Sequence, residues 1–168
     1  MTAEKVKVLY IAGMGRSGST ILGNILGSIE GFFHVGEFHS IWMLNLSENR
    51  LCGCGTSFRE CDVWQAILEK AFGGIDRVDS QKMLDTLRGE LRTRRTLPLS
   101  FTRRGQAILK SRLGSYLDNL ERLYHAVQSV TGSQVIVDSS KSPSYGYALS
   151  LIPTIDLYVI HLIRDPRA

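Results

Sequence analysis

The sequence predicts an α/β fold in which a parallel sheet is flanked by helices, and three observations carry that reading. An apolar run of strand length, Val6 to Ile11, feeds a glycine-rich turn and then apolar residues at helical spacing. Strand and helix patterns alternate again from Gln134 to Ile163. Between these two regions the periodicity is almost wholly helical, so a helical insertion is expected between the second and third strands. Alternating strands and helices build parallel sheets through right-handed crossovers. At 168 residues the chain suits one domain, spanning 1–168.

In chain order, Thr20-Ile21-Leu22 with Ile25 and Leu26 marks the first helix, and Gly31 ends that pattern. Phe32 to Val35 reads as a second strand ending at Gly36-Glu37. Weak helical spacing follows across Ile41, Trp42, Leu44 and Leu46, then a cysteine-bearing loop from Leu51 to Cys61. A helix from Asp62 to Phe72, with Asp62 as N-cap, stops at Gly73-Gly74. Residues 80–93 look helical, with Ser80 as cap and Met83, Leu84, Leu87 and Leu91 on one face. Arg88, Arg92, Arg94, Arg95, Arg103 and Arg104 then stand against the single acid Glu90, a solvated linker between helices or a docking surface for an acidic acceptor. Pro98 breaks that stretch. A long helix over 105–131 carries a stripe from Ile108 to Val127, and Gly132 stops it. Gln134 to Asp138 is a strand, Ser144 to Leu151 a short helix and Leu157 to Ile163 a strand.

Composition bounds the function classes. An apolar share of 43% and a charged share of 21% are those of a globular chain rather than a disordered one. The net charge of +4 suits an anionic ligand without demanding nucleic acid. No apolar run approaches the roughly 20 residues of a membrane span. The start MTAEKVKV lacks the apolar region and cleavage site of a secretory signal, which points to a cytoplasmic protein. The chain stops at Ala168, just after a strand-like run and the turn signal Arg164-Asp165-Pro166. A truncated domain, missing its C-terminal part, is therefore expected.

The turn after the first strand carries the chemistry. A Walker A loop reads G-x-x-x-x-G-K-[ST], and Gly13 to Thr20 matches every position except the lysine, which is Ser19. Glycine-rich strand-to-helix turns aim backbone N–H groups and a helix N-terminus at phosphate. The Thr20 hydroxyl stands where it can reach an oxyanion. The lysine that bridges β- and γ-phosphates is missing, while a cation stands earlier in the loop, at Arg16. The fold expected is thus a P-loop-type sheet that aims its charge differently from a triphosphatase.

Two further cations follow predicted strands. Lys141, in Asp138-Ser139-Ser140-Lys141-Ser142-Pro143, belongs at the carboxyl edge of the sheet, where the glycine loop also lies. It is either a surface lysine beside a Ser-Pro turn or an ammonium that neutralises a bound oxyanion. Asp138 caps or orients rather than catalyses. Arg164 closes the run Ile160 to Ile163, and its guanidinium suits bidentate phosphate binding or a salt bridge with Asp165.

Taken together, R-S-G-S-T at 16–20, Lys141-Ser142-Pro143 and the strand-Arg164-Asp165-Pro166-Arg167 run resemble the PAPS-dependent sulfotransferases, nearest the bacterial and tyrosylprotein branch. The resemblance runs in order through residues 6–167, with no quotable motif over roughly 62–132. It implies that Gly15, Arg16, Ser17, Gly18, Ser19 and Thr20 hold the 5′-phosphosulfate of PAPS and that Arg164 grips the 3′-phosphate. A serine expected to assist Arg164 would fall past Ala168. Lys141 would assist sulfuryl transfer together with Arg16. Glu37, in a Gly-Glu turn like that of the same branch, would be the general base, with His39 as the alternative. The acceptor would be a hydroxyl on a small molecule, carbohydrate or peptide, with no metal required.

Two other readings stay open. One is a small-molecule or nucleotide kinase, against which Ser19 argues. The other is a non-catalytic nucleotide-binding module. Cys52, Cys54 and Cys61 have no fourth cysteine, and C-x-C is poor zinc spacing, so free thiols are expected and no metal is assigned.

Overall fold

A computed structural model describes residues 5–165. Pro166 and Arg167, the end of the second sulfotransferase-like motif, lie outside the described residues. Four strands, β1 (Val6–Gly13), β2 (Phe32–His34), β3 (Val135–Lys141) and β4 (Ile155–Leu162), form one sheet in the order β2-β3-β1-β4. Every pairing is parallel. β1 lies between β3 and β4, and Val6, Val8, Tyr10 and Ile11 are all buried, as a strand covered on both faces requires.

The helices α1 (Ser19–Gly27), α2 (Asp62–Phe72), α3 (Ser80–Gly89), α4 (Thr93–Ser100), α5 (Arg103–Thr131) and α6 (Pro143–Ser150) complete the frame. The chain leaves β1 toward β2 on one side of the sheet, and leaves β3 toward β4 on the other. Right-handed crossovers therefore put α1 and α6 on opposite faces. Side-chain alternation along β3 agrees: Asp138 meets Tyr124 of α5, while Ser139 meets His34 on the α1 side. The segment from Phe38 to Thr131 is the expected helical insertion. It builds most of the core against the α5–α6 face of the sheet, with Trp42, Phe58, Tyr116 and Tyr124 almost fully buried.

Within this frame several local expectations are corrected. The N-cap of α2 is Cys61 rather than Asp62, which lies in the first turn. Asp79, not Ser80, caps α3 by accepting from the Lys82 amide at 2.9 Å. The weakly periodic segment is a π-helical turn, Ile41–Ser47, that buries Ile41, Trp42 and Leu46. The arginine-rich stretch is not a linker through its middle but the helix α4, with Pro98 inside it. Packing explains this. Thr96 is buried and its hydroxyl donates to the Arg92 carbonyl at 3.1 Å, while α4 lies against α5. Proline removes the intrahelical bond that residue 98 would donate to the Arg94 carbonyl, and α4 ends two residues later at Ser100. No helix among the described residues is long and apolar enough to cross a membrane.

Candidate functional site

β1 ends at Gly13, where a Cβ would stand 2.6 Å from the Leu162 carbonyl oxygen; only glycine lets the loop leave this close to β4. The chain then turns through Met14 to Gly18, and α1 begins at Ser19 with Gly18 in the left-handed conformation at φ 90°. No side chain caps the first turn of α1. Its outward N–H groups point toward the loop, which is the electrostatic condition for holding an anion. Arg16 is exposed and sits at φ 64°. The Arg164 guanidinium donates to the Arg16 carbonyl at 3.3 Å, so the end of β4 braces the apex of the loop. A cleft of about 590 Å³ lies between residues 14–17 of the loop and residues 161–165. Ser17 borders it with a buried hydroxyl that has no protein partner. Thr20 is exposed on the first turn of α1, whereas Ser19 is buried.

The second half of the edge is set by β-sheet register. Ala12 is opposite Lys141 on β3 and His161 on β4, and Gly13 is opposite Leu162. Lys141 and Arg164 therefore flank the loop from its two sides. The register slips between Tyr10 and Ala12, and Lys141 takes φ 65°. β2 is carried past its last regular residue by two bonds to β3: Val35 N–H to the Val137 carbonyl and Ser139 N–H to the Gly36 carbonyl, each at 2.9 Å. These bonds deliver Glu37 to Lys141. The two form an ion pair, with the Lys141 side chain largely buried and Glu37 more open. The His39 ring packs beside Tyr145 at 6.0 Å, and its amide donates to Ser140 Oγ at 3.0 Å. Burial lowers the pKa of His39; the Glu37 carboxylate partly opposes this and Lys141 adds a smaller lowering, so the ring is neutral at neutral pH.

The same strand, β3, also carries a buried polar network that the sequence did not disclose. Asp138 is fully buried. It accepts from Tyr124 Oη at 2.5 Å, from the Ser140 amide at 2.8 Å and from the Ser140 hydroxyl. Tyr124 and Tyr145 share a contact at 3.2 Å. Burial raises the Asp138 carboxyl to about 6, against the lowering effect of these donors. The tyrosines sit in the helical stripes of α5 and α6, where their spacing marks them only as core. The one usable signal was Asp138-Ser139-Ser140, since an Asp followed by Ser after a strand favours a side-chain-to-backbone turn.

His34 stands apart from this chemistry. Its ring bonds Asn24 Oδ1 at 3.1 Å and Ser139 Oγ at 3.0 Å, seating α1 on the sheet. The sulfurs of Cys52, Cys54 and Cys61 lie within 4.8 Å of one another, although spacing alone gave no reason to join them.

No family model matches the chain, and neither the curated proteins nor the solved structures contain a match.

Proposed function

We propose that this protein is a sulfotransferase that moves the sulfuryl group of PAPS to a hydroxyl acceptor, using a P-loop-type 5′-phosphosulfate site. The observation that carries this reading is the Lys141–Glu37 ion pair beside the glycine loop. It puts a cation and a carboxylate at one point of the carboxyl edge. Bound sulfate draws the Lys141 ammonium away and frees Glu37 to accept a proton. The acceptor oxygen attacks sulfur in line, and the new O–S bond forms as the bond from sulfur to the 5′-phosphate oxygen breaks. The electron pair leaves with PAP, and the hydroxyl proton passes to Glu37. Arg16, Lys141 and the loop N–H groups neutralise the charge that grows on the leaving phosphate, so positioning and electrostatics supply most of the rate. Gly15, Ser17, Gly18, Ser19 and Thr20 shape that cradle, and Arg164 takes the 3′-phosphate. A kinase would need its bridging cation at Ser19, which is a buried hydroxyl.

Calorimetry with PAP, PAPS, ATP and ATP–Mg²⁺ tests the assignment. PAP and PAPS bind more tightly than ATP–Mg²⁺, and adenosine 5′-phosphosulfate, which lacks the 3′-phosphate, binds more weakly than PAPS. In Arg164→Ala the two sulfate donors converge by about tenfold, the worth of one charge-assisted contact. Equal discrimination in wild type and variant removes Arg164 from the site. Tighter binding of ATP–Mg²⁺ with phosphoryl transfer makes the protein a kinase, and PAP binding without turnover on any hydroxyl makes it a binding module.

A further inference from the structure

We infer that Cys52, Cys54 and Cys61 form a zinc site of three thiolates that staples the cysteine loop to the start of α2. Their sulfurs all lie within 4.8 Å of one another, and Cys54 Sγ is 3.6 Å from Cys61 Sγ. Zinc–sulfur bonds of about 2.3 Å at tetrahedral angles place ligand sulfurs about 3.8 Å apart, so the cluster already has ligand spacing.

The backbone builds this convergence. Leu51 bridges to Ser57, the Cys52 amide donates to the Thr56 carbonyl at 2.8 Å, and the Gly55 amide donates to the Cys52 carbonyl at 2.9 Å. Cys-Gly-Cys-Gly-Thr is thereby folded into a tight hairpin. A short 3₁₀ turn, Phe58–Glu60, then returns the chain so that Cys61 faces it. Apolar burial does not account for the arrangement, because Cys54 is exposed and Cys52 only half-buried. A disulfide would leave one of three clustered thiols over, whereas a soft cation uses all three. An all-sulfur donor set selects zinc or copper(I) over magnesium or calcium. Each thiol gives up its proton to solvent on binding. Cys61 is the N-cap of α2 and has no side-chain capping bond, so the positive end of the helix faces the thiolates. The exposed Cys54 side leaves the fourth zinc position to water.

The staple reaches the candidate active edge through aromatic packing. Trp64, in the first turn of α2, lies 4.9 Å from Phe58 and 5.8 Å from Phe38, measured between ring centroids. Phe38 directly follows Glu37. Fixing the start of α2 therefore fixes the turn that carries Glu37.

The test uses the full chain, reduced and freed of metal with a chelator, then titrated with Zn²⁺ against a chromophoric chelator. One Zn²⁺ binds per chain, and the thermal midpoint rises as Zn²⁺ exceeds its Kd. Co²⁺ in place of zinc gives near-ultraviolet thiolate charge-transfer absorption that falls by about a third on loss of one of three sulfurs. Cys54→Ser, at an exposed position, weakens Zn²⁺ binding by roughly 100-fold without unfolding the chain. Zn²⁺ binding that is substoichiometric, or unchanged in Cys54→Ser, overturns the inference. A protein that takes up copper(I) and not zinc overturns the choice of metal, and a chain isolated with two cysteines paired that binds no metal after reduction overturns the site.

Discussion

The two halves of the carboxyl edge are built differently. On the β4 side, Arg16 is exposed and is braced by one 3.3 Å bond from Arg164 to its carbonyl, above an open cleft. On the β3 side, the Lys141 side chain is only 16% exposed and is already paired with Glu37, and the same strand carries Asp138 of the buried Asp138–Tyr124–Tyr145 network. An exposed cation beside an open cleft gains most from a ligand that arrives with its own charge. A paired one is already held beside the loop before a ligand arrives. Under the proposed sulfotransferase reading, the difference corresponds to a division of labour in which the β4 side binds the donor and the β3 side carries the reaction.

The sharpest way to break that division is at Glu37. Glu37→Ala lowers kcat by roughly 10²–10⁴ and leaves PAP affinity almost intact, while His39→Ala has a much smaller effect. Steady-state kinetics with calorimetry of PAP reads both. A collapse in His39→Ala with unchanged kcat in Glu37→Ala would give the base to the imidazole.

The buried network at Asp138 has a pH signature. Asp138 sits at about 6 in the folded protein against an ordinary 3.8, so between those values the native state keeps a proton that the unfolded chain has released. Stability therefore falls as pH rises from about 4 to about 6, and the full cost, about 3 kcal/mol, is present above that window. Urea unfolding across pH should show this slope in wild type and lose it in Asp138→Asn. The same slope in both would mean that another group titrates there.

A smaller effect tests how the loop is tied to the β2–β3 half. A Cβ on Gly23 would lie 2.3 Å from His34 Nε2, so Gly23→Ala must displace the ring from Ser139 or lift α1. Overpacking of this kind costs about 1–3 kcal/mol. Denaturant midpoints check it, and a change below about 0.5 kcal/mol would show that the ring yields freely.

Period and punctuation made the frame legible. All four strands, α1, α2 and α5, and the stop at Gly132 follow from apolar spacing and from glycine placed after it. The carboxyl-edge placement of Lys141 was legible too, because the lysine stands three residues past the apolar strand read over 134–138 and is the last residue of β3. What was not legible depends on contacts distant in sequence. α4 exists because Thr96 is buried and bonded, and local propensity around Pro98 argues the other way. Glu37 reaches Lys141 through parallel register and two backbone bonds that no spacing within β2 announces. Tyr124 looks like any stripe residue until Asp138 is placed opposite it. The cysteines meet because a hairpin folds Cys52 and Cys54 back toward Cys61, and C-x-C spacing does not say so.

Among the described residues, the non-glycine residues at positive φ are Arg16, Asn49 and Lys141. Asparagine adopts that region readily, whereas arginine and lysine do so at a cost of order 1 kcal/mol each. Selection for stability alone would put glycine or asparagine at 16 and 141. The fold thus carries two cations where its own backbone disfavours them, and under the proposed function this is a trade of stability against activity located in two dihedral angles. Arg16→Gly and Lys141→Gly relieve the backbone as they delete the charge. Arg16→Gly, at an exposed position, is then as thermostable as the parent or more so while turnover collapses, whereas Lys141→Gly also gives up the Glu37 ion pair. Thermal melts beside activity assays read both, and unchanged turnover in Arg16→Gly would make that cation merely structural.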